Sequence, residues 1–178
     1  MTPNTERSAS PGASAYTGFQ TSALVALRML VGWHFLYEGI AKITNPYWTS
    51  AGYLAEANWF LKGLALDVAA SPGAVTVVDY VNEYGLVLIG LGLLVGALTR
   101  AATIAGVVLL ALYYVVAPPF VGYTYTMPAE GSYVVVNKVL IEAVALLVVL
   151  AFPASRQFSL DALFAKRAAS LAPQRAEA

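Results

Sequence analysis

Residues 32–48 read GWHFLYEGIAKITNPYW. The stretch is apolar enough to finish a membrane-crossing helix, yet it carries the chain's only histidine, His34, with Glu38 and Lys42 following at steps of four residues. Followed back to Thr21, the pattern predicts a span over 21–43, and a hydrocarbon core of about 30 Å needs roughly 17 to 25 helical residues. Pro46 ends it, because the residue before a proline avoids the helical region.

Three further apolar blocks, 73–99, 101–117 and 133–152, predict three more spans. Of the 178 residues, 59% are hydrophobic and 11% charged, against about 25% charged in an average soluble domain. The predicted fold is therefore an all-α membrane protein, a four-transmembrane-helix bundle over 21–153. Ser71 and Pro72 read as the cap and first turn of span two, and Gly85, Gly90, Gly92 and Gly96 invite close approach of a neighbouring helix. Arg100 marks a short turn into span three, Pro118 and Pro119 close that span, and Pro153 stops span four. Between the first two spans, Leu54, Ala57, Leu61 and Leu64 recur at helical spacing beside Trp59 and Phe60. Residues 49–66 are accordingly predicted to form an additional interfacial helix on the outer side. Residues 1–20 read as a flexible polar tail and 154–178 as a C-terminal tail with a weak amphipathic helix from Ser159. The first apolar segment holds four ionisable groups and no small-residue cleavage site follows it, so it is expected in the mature protein.

The chain has no cysteine and a net charge of zero. Disulfides, thiolate chemistry and cysteine-ligated metal or iron–sulfur sites are thereby excluded from this chain, one histidine argues against a His-rich metal site, and no nucleic-acid partner is expected. Orientation follows the distribution of Lys and Arg. Arg7, Arg100, Arg156, Lys166, Arg167 and Arg175 fall on one side. Lys62 lies on the other with Glu56, Asp67, Asp79, Glu83 and Glu130, and Lys42 and Lys138 sit near helix ends there. Both termini are expected in the cytoplasm, with the protein integral to a bacterial or archaeal cell membrane.

At 100° per residue, Arg28, Lys42, Glu38 and His34 share one face of span one. Ionisable groups at membrane depth cost at least a few kcal/mol each unless they face a protein interior, so a single stripe is the arrangement that inserts. Span four offers partners in Asn137, Lys138 and Glu142, the last two at i and i+4. Lys138 is expected near the depth of Glu38 and Glu142 near that of His34, with Arg28 reaching up to Glu142. Tyr113 and Tyr114 lie on the outer part of span three. Two readings stay open: ion pairs that only hold the bundle together, or an outward-opening polar site. In the second, His34, Glu38 and Glu142 handle protons, while Arg28, Lys42, Asn137, Lys138, Tyr113 and Tyr114 hold a quinone or a small anion.

The segments RMLVGWHFLYEGIAKI, NPYWTSAGYL, GLVLIGLGLLVGALTRAA, ALYYVVAPP, NKVLIEAVALL and FSLD, in that order and spacing, resemble the DoxX/DoxD-like family of small four-helix membrane proteins. DoxD is the membrane subunit of thiosulfate:quinone oxidoreductase. The resemblance implies a membrane subunit of a quinone-linked oxidoreductase system, with quinone as cofactor and a second subunit or partner redox enzyme. It marks Arg28, Gly32, Glu38, Gly39, Lys42, Asn137, Lys138 and Glu142 as family-like positions. The competing reading is a non-catalytic membrane scaffold or anchor for a partner redox enzyme. A small carrier is a third, disfavoured by the few spans and the absence of a visible repeat or broken helix.

Overall fold

The computed structural model describes residues 16–125, 134–156, 159–164 and 167. The expectations placed on Arg7, Glu130, Tyr133, Lys166 and Arg175, and on most of both tails, lie outside the described residues. Among those residues the fold is all-helical: α1 Gly18–Thr44, α2 Ala51–Ala55, α3 Lys62–Ala69, α4 Pro72–Val95, α5 Thr99–Val116 and α6 Lys138–Ala151, with 3₁₀ turns at Trp59–Leu61 and Pro153–Arg156. Three of these, α1, α4 and α5, are long and apolar enough to cross a membrane.

The fourth predicted span is shorter than expected. Instead of beginning near Tyr133, α6 begins at Lys138, where the Asn137 side chain accepts the Leu140 amide at 2.9 Å and caps the helix. Its 14 residues reach about 21 Å at 1.5 Å per residue. The predicted interfacial helix is also interrupted. The Asn58 amide donates to the Val116 carbonyl at the end of α5 (3.0 Å), and Trp59 adopts a positive φ of 65°, so α2 and α3 are separate short helices around a 3₁₀ turn. This tertiary tie overrides the helical spacing of the segment and forms a cap over one end of the molecule.

α1 starts with a reciprocal capping box, in which Thr17 Oγ1 accepts the Gln20 amide and Gln20 Oε1 accepts the Thr17 amide, satisfying two otherwise orphaned donors. It makes its most extensive contact with α4, and glycines set the distance. A Cβ on Gly39 would lie 2.8 Å from the Val87 amide nitrogen, and one on Gly90 would lie 2.7 Å from Leu36 Cα and press on the Leu36 nitrogen as well. Contacts of Gly32 with Leu93 and of Gly39 with Val87 show that the two helices run antiparallel. Gly85, predicted to serve the same purpose, meets nothing within 4 Å. Around the α1/α4 seam, Val31, Phe35, Leu86, Ile89, Leu93, Leu110 and Leu146 form one core drawn from α1, α4, α5 and α6. Leu30, Trp33, Leu88 and Ile141 are more than half exposed on the outside, as a lipid-facing surface requires.

The turn between α4 and α5 lies at Gly96–Leu98 and Arg100 is already helical, a shift from the predicted position. Gly96 takes φ +71°, the left-handed conformation that ends many helices. Leu98, with φ 50°, takes it at a cost of about 1–2 kcal/mol for a residue with a side chain. Asp161 holds this turn: its carboxylate accepts the Leu98 and Thr99 amides, each at 2.9 Å, and its own amide donates to the Gly96 carbonyl at 3.0 Å. Ser71, predicted to cap α4, occupies the cap position but makes no side-chain cap bond there.

Two consequences can be measured. Gly90→Ala should force α1 from α4 and destabilise by about 1–3 kcal/mol, the usual overpacking cost, whereas Gly85→Ala should be neutral or stabilising; melting in detergent compares them. Burial alone would raise the pKa of Asp161, but the amide and hydroxyl of Thr99, the Leu98 amide and the charge of Arg156 outweigh it and hold the carboxyl below its ordinary range. Its stabilisation is therefore complete above the ordinary aspartate range and is lost as pH falls through the depressed value. Hydrogen exchange at Leu98 and Thr99 should rise in that acid window. Asp161→Ala should raise it at all pH values, at about 0.5–2 kcal/mol as for other lost caps.

Candidate functional site

The capped end of the molecule holds a cavity of about 180 Å³. It collects the polar stripe of α1 and the start of α6 around an apolar floor of Phe35, Leu86, Leu110 and Val139. His34, Glu38 and Lys42 enter from α1, Lys138 and Glu142 from α6, and Tyr113 from α5. They converge because the α1/α4 seam fixes the rotation of α1. With Gly32 and Gly39 pressed on α4, the residues between them on the other face turn toward α6.

The imidazole of His34 is the centre of the arrangement. Its Nδ1 lies 3.3 Å from Glu142 Oε1 and its Nε2 lies 3.7 Å from Glu38 Oε1. Glu38 is in turn paired with Lys42, whose Nζ donates to Oε2 at 2.6 Å. Lys42 also lies over the Trp48 ring, 5.6 Å from its centroid, a cation–π distance. Exposure is graded. The Glu142 side chain is 11% exposed and that of Glu38 is 43% exposed, so the histidine bridges a buried carboxylate and an accessible one. A neutral imidazole donates from one nitrogen and accepts at the other, and an imidazolium donates from both. Side-chain rotation that closed the 3.7 Å gap to Glu38 would let one ring nitrogen donate while the other accepts.

Lys138 stands at the mouth, exposed and without an ion pair among the described residues. Its charge acts on His34, Glu38 and Glu142. Hydrogen bonds hold Tyr113 in the cavity wall. Asn82 Nδ2 donates to the Tyr113 hydroxyl at 2.5 Å, and the Tyr53 hydroxyl donates to the Tyr113 carbonyl at 2.6 Å. Burial holds the Tyr53 phenol well above its ordinary pKa, so it remains a donor at any physiological pH. Asp79 ties down the cap by accepting the Ser50 amide at 2.7 Å and the Thr49 hydroxyl at 3.0 Å.

Of the residues singled out from the sequence, His34, Glu38, Glu142, Lys42, Lys138 and Tyr113 come together here, and three do not. Arg28 lies at the opposite end, almost wholly buried beside Gly96, where an added Cβ would sit 3.1 Å from its guanidinium. The acid acting on it is Asp161, and the expected reach to Glu142 does not occur, because Glu142 is engaged by His34. Asn137 caps α6, and the Tyr114 hydroxyl donates to the Val135 carbonyl at 2.7 Å; neither lines the cavity. Asn82, one of the polar groups that the sequence places in the outer half, does not line the cavity but holds the Tyr113 hydroxyl that does. Its position on the outer part of span two is the available signal.

No group of three or more metal-ligating side chains occurs among the described residues. Set against models of known protein families, curated proteins and solved structures, the chain matches none.

Proposed function

We propose that this chain is the membrane subunit of a quinone-linked oxidoreductase system, built as a four-span bundle in the cell membrane with both termini cytoplasmic, and that the capped cavity receives a quinone headgroup. The observation that carries this reading is His34 held between Glu38 and Glu142 over an apolar floor, with Lys138 at the mouth. A water occupies about 30 Å³ of liquid, so about 180 Å³ has room for one substituted six-membered ring. Two lysines and two carboxylates line the space. The apolar floor beneath these polar groups suits a ligand with polar ends on an apolar ring.

Reduction of a quinone to its quinol takes two electrons and two protons. In this reading the electrons come from the redox group of a partner subunit, and this chain supplies the protons. Lys138 donates a hydrogen bond to one carbonyl oxygen. His34 delivers a proton from its Nε2 side and is reprotonated from Glu142 or from water through Glu38. The scaffold reading draws support from the exposed aromatic groups of the cap, with Trp59 46% and Phe60 66% exposed, where a partner enzyme would sit; it leaves the polar cavity without a task.

The test is binding of a short-chain ubiquinone to nanodisc-embedded protein, followed through Trp48 fluorescence. Lys138→Met should weaken binding by about tenfold or more, as loss of a charged hydrogen bond of about 1.5–3 kcal/mol requires, and Glu38→Gln should weaken it too by releasing Lys42 from its partner, with melting temperature nearly unchanged. Unchanged binding in both variants, or no binding by the unaltered protein, would sink the proposal. Orientation is tested on the cysteine-free background: in intact cells Tyr47→Cys should react with a membrane-impermeant maleimide and Arg167→Cys should not, and the reverse pattern overturns it.

A further inference from the structure

A second polar notch lies at the other end of the molecule, between α5 and α6, and encloses about 210 Å³. Its rim carries two guanidinium groups from different elements, Arg100 on the first turn of α5 and Arg156 on the 3₁₀ turn that follows α6. Both residues are exposed. Thr99 and Thr103 form the inner wall. Thr103 donates its hydroxyl to the Thr99 carbonyl at 2.7 Å. Thr99 is only 2% exposed, and its buried Oγ1 completes no hydrogen bond of normal geometry among the described residues, although it lies near enough to Asp161 to act on that carboxylate.

Among the described residues no carboxylate lines the notch. The nearby Asp161 already accepts two backbone amides, and it interacts electrostatically with Arg156 and Arg28. Every polar group offered to a ligand here can donate: two guanidinium forks and one buried hydroxyl. Such a set calls for an anion with several acceptor oxygens, and a phosphate matches the fork geometry of arginine. The wall toward the bilayer is different in kind. Ile104 and Leu150 line it and are 45% and 36% exposed, giving an apolar track that leads away from the charges along the α5/α6 groove.

We propose that this notch binds the phosphodiester of an anionic phospholipid, with the headgroup between Arg100 and Arg156, a phosphate oxygen accepting the Thr99 hydroxyl, and an acyl chain on Ile104 and Leu150. The position fits the chemistry, since the notch lies at the ends of membrane-crossing helices, where headgroups lie and where basic pockets between helices recruit acidic lipids. The inference requires only that the helices span a bilayer; it is independent of what the capped cavity binds.

Native mass spectrometry of the full chain released from detergent distinguishes the possible ligands. Phosphatidylglycerol, phosphatidylcholine with the same acyl chains, and inorganic phosphate are added separately. Phosphatidylglycerol adducts should survive collisional activation that strips phosphatidylcholine. The variants R100Q and R156Q should each lower the occupancy several-fold, and the pair together about tenfold, to the phosphatidylcholine level. Thr99→Val, which keeps the volume and removes the donor, should lower it too. Melting temperature of each variant establishes that it is folded, and a single variant carries the test if the pair is not. Equal retention of the two lipids, or unaltered phosphatidylglycerol retention in folded R100Q and R156Q, overturns the proposal. Retention of inorganic phosphate without a preference for phosphatidylglycerol overturns the lipid assignment.

Discussion

The close antiparallel seating of α1 on α4 is the constraint from which the rest of the structure follows. Backbone meets backbone at Gly39 and Gly90, and at that distance neither helix can rotate without a clash. Because the seam claims one face of α1, the polar face must turn elsewhere, and α6 is the element that meets it. The gain is one of packing, as expected where lipid supplies no hydrophobic drive between helices. Small residues on α1 and α4 therefore decide the geometry of charged residues that they never touch.

Charge compensation governs the capped cavity. A lone carboxylate or ammonium at that depth would leave an uncompensated charge. Glu38 is matched by Lys42 at 2.6 Å, and Glu142 sits 3.3 Å from His34. The arrangement differs from plain structural pairing in using a group that can change its charge. An imidazole between two carboxylates can donate from one ring nitrogen while the other accepts, which a Lys–Glu pair cannot do.

Much of this was legible in the sequence because helical periodicity is local. The stripe of His34, Glu38 and Lys42, the placement of Glu142 at the depth of His34, and the long apolar helices all follow from counting residues along one element. What escaped the count depends on neighbours. Asn137 looked like part of the polar site, but an asparagine before an apolar run is also a helix cap, and the structure uses it so, shortening α6. Arg28 shares the stripe by periodicity, yet it lies buried beside Gly96, and the acid acting on it is Asp161, which folds back from beyond α6. Gly85 resembles the other glycines in sequence and differs only in facing nothing.

The separation between His34 and its partner has a consequence for how the protein is made. Glu142 follows His34 by roughly a hundred residues, so at about 5–20 residues per second the first helix waits on the order of 5–20 s for the carboxylate that completes its polar stripe. During that interval Lys42, at the next turn beyond Glu38, is the sole compensating charge within reach on the same helix. The intrahelical Glu38–Lys42 pair needs no later part of the chain: α1 carries this pair complete among its own residues, and His34 is the group that waits.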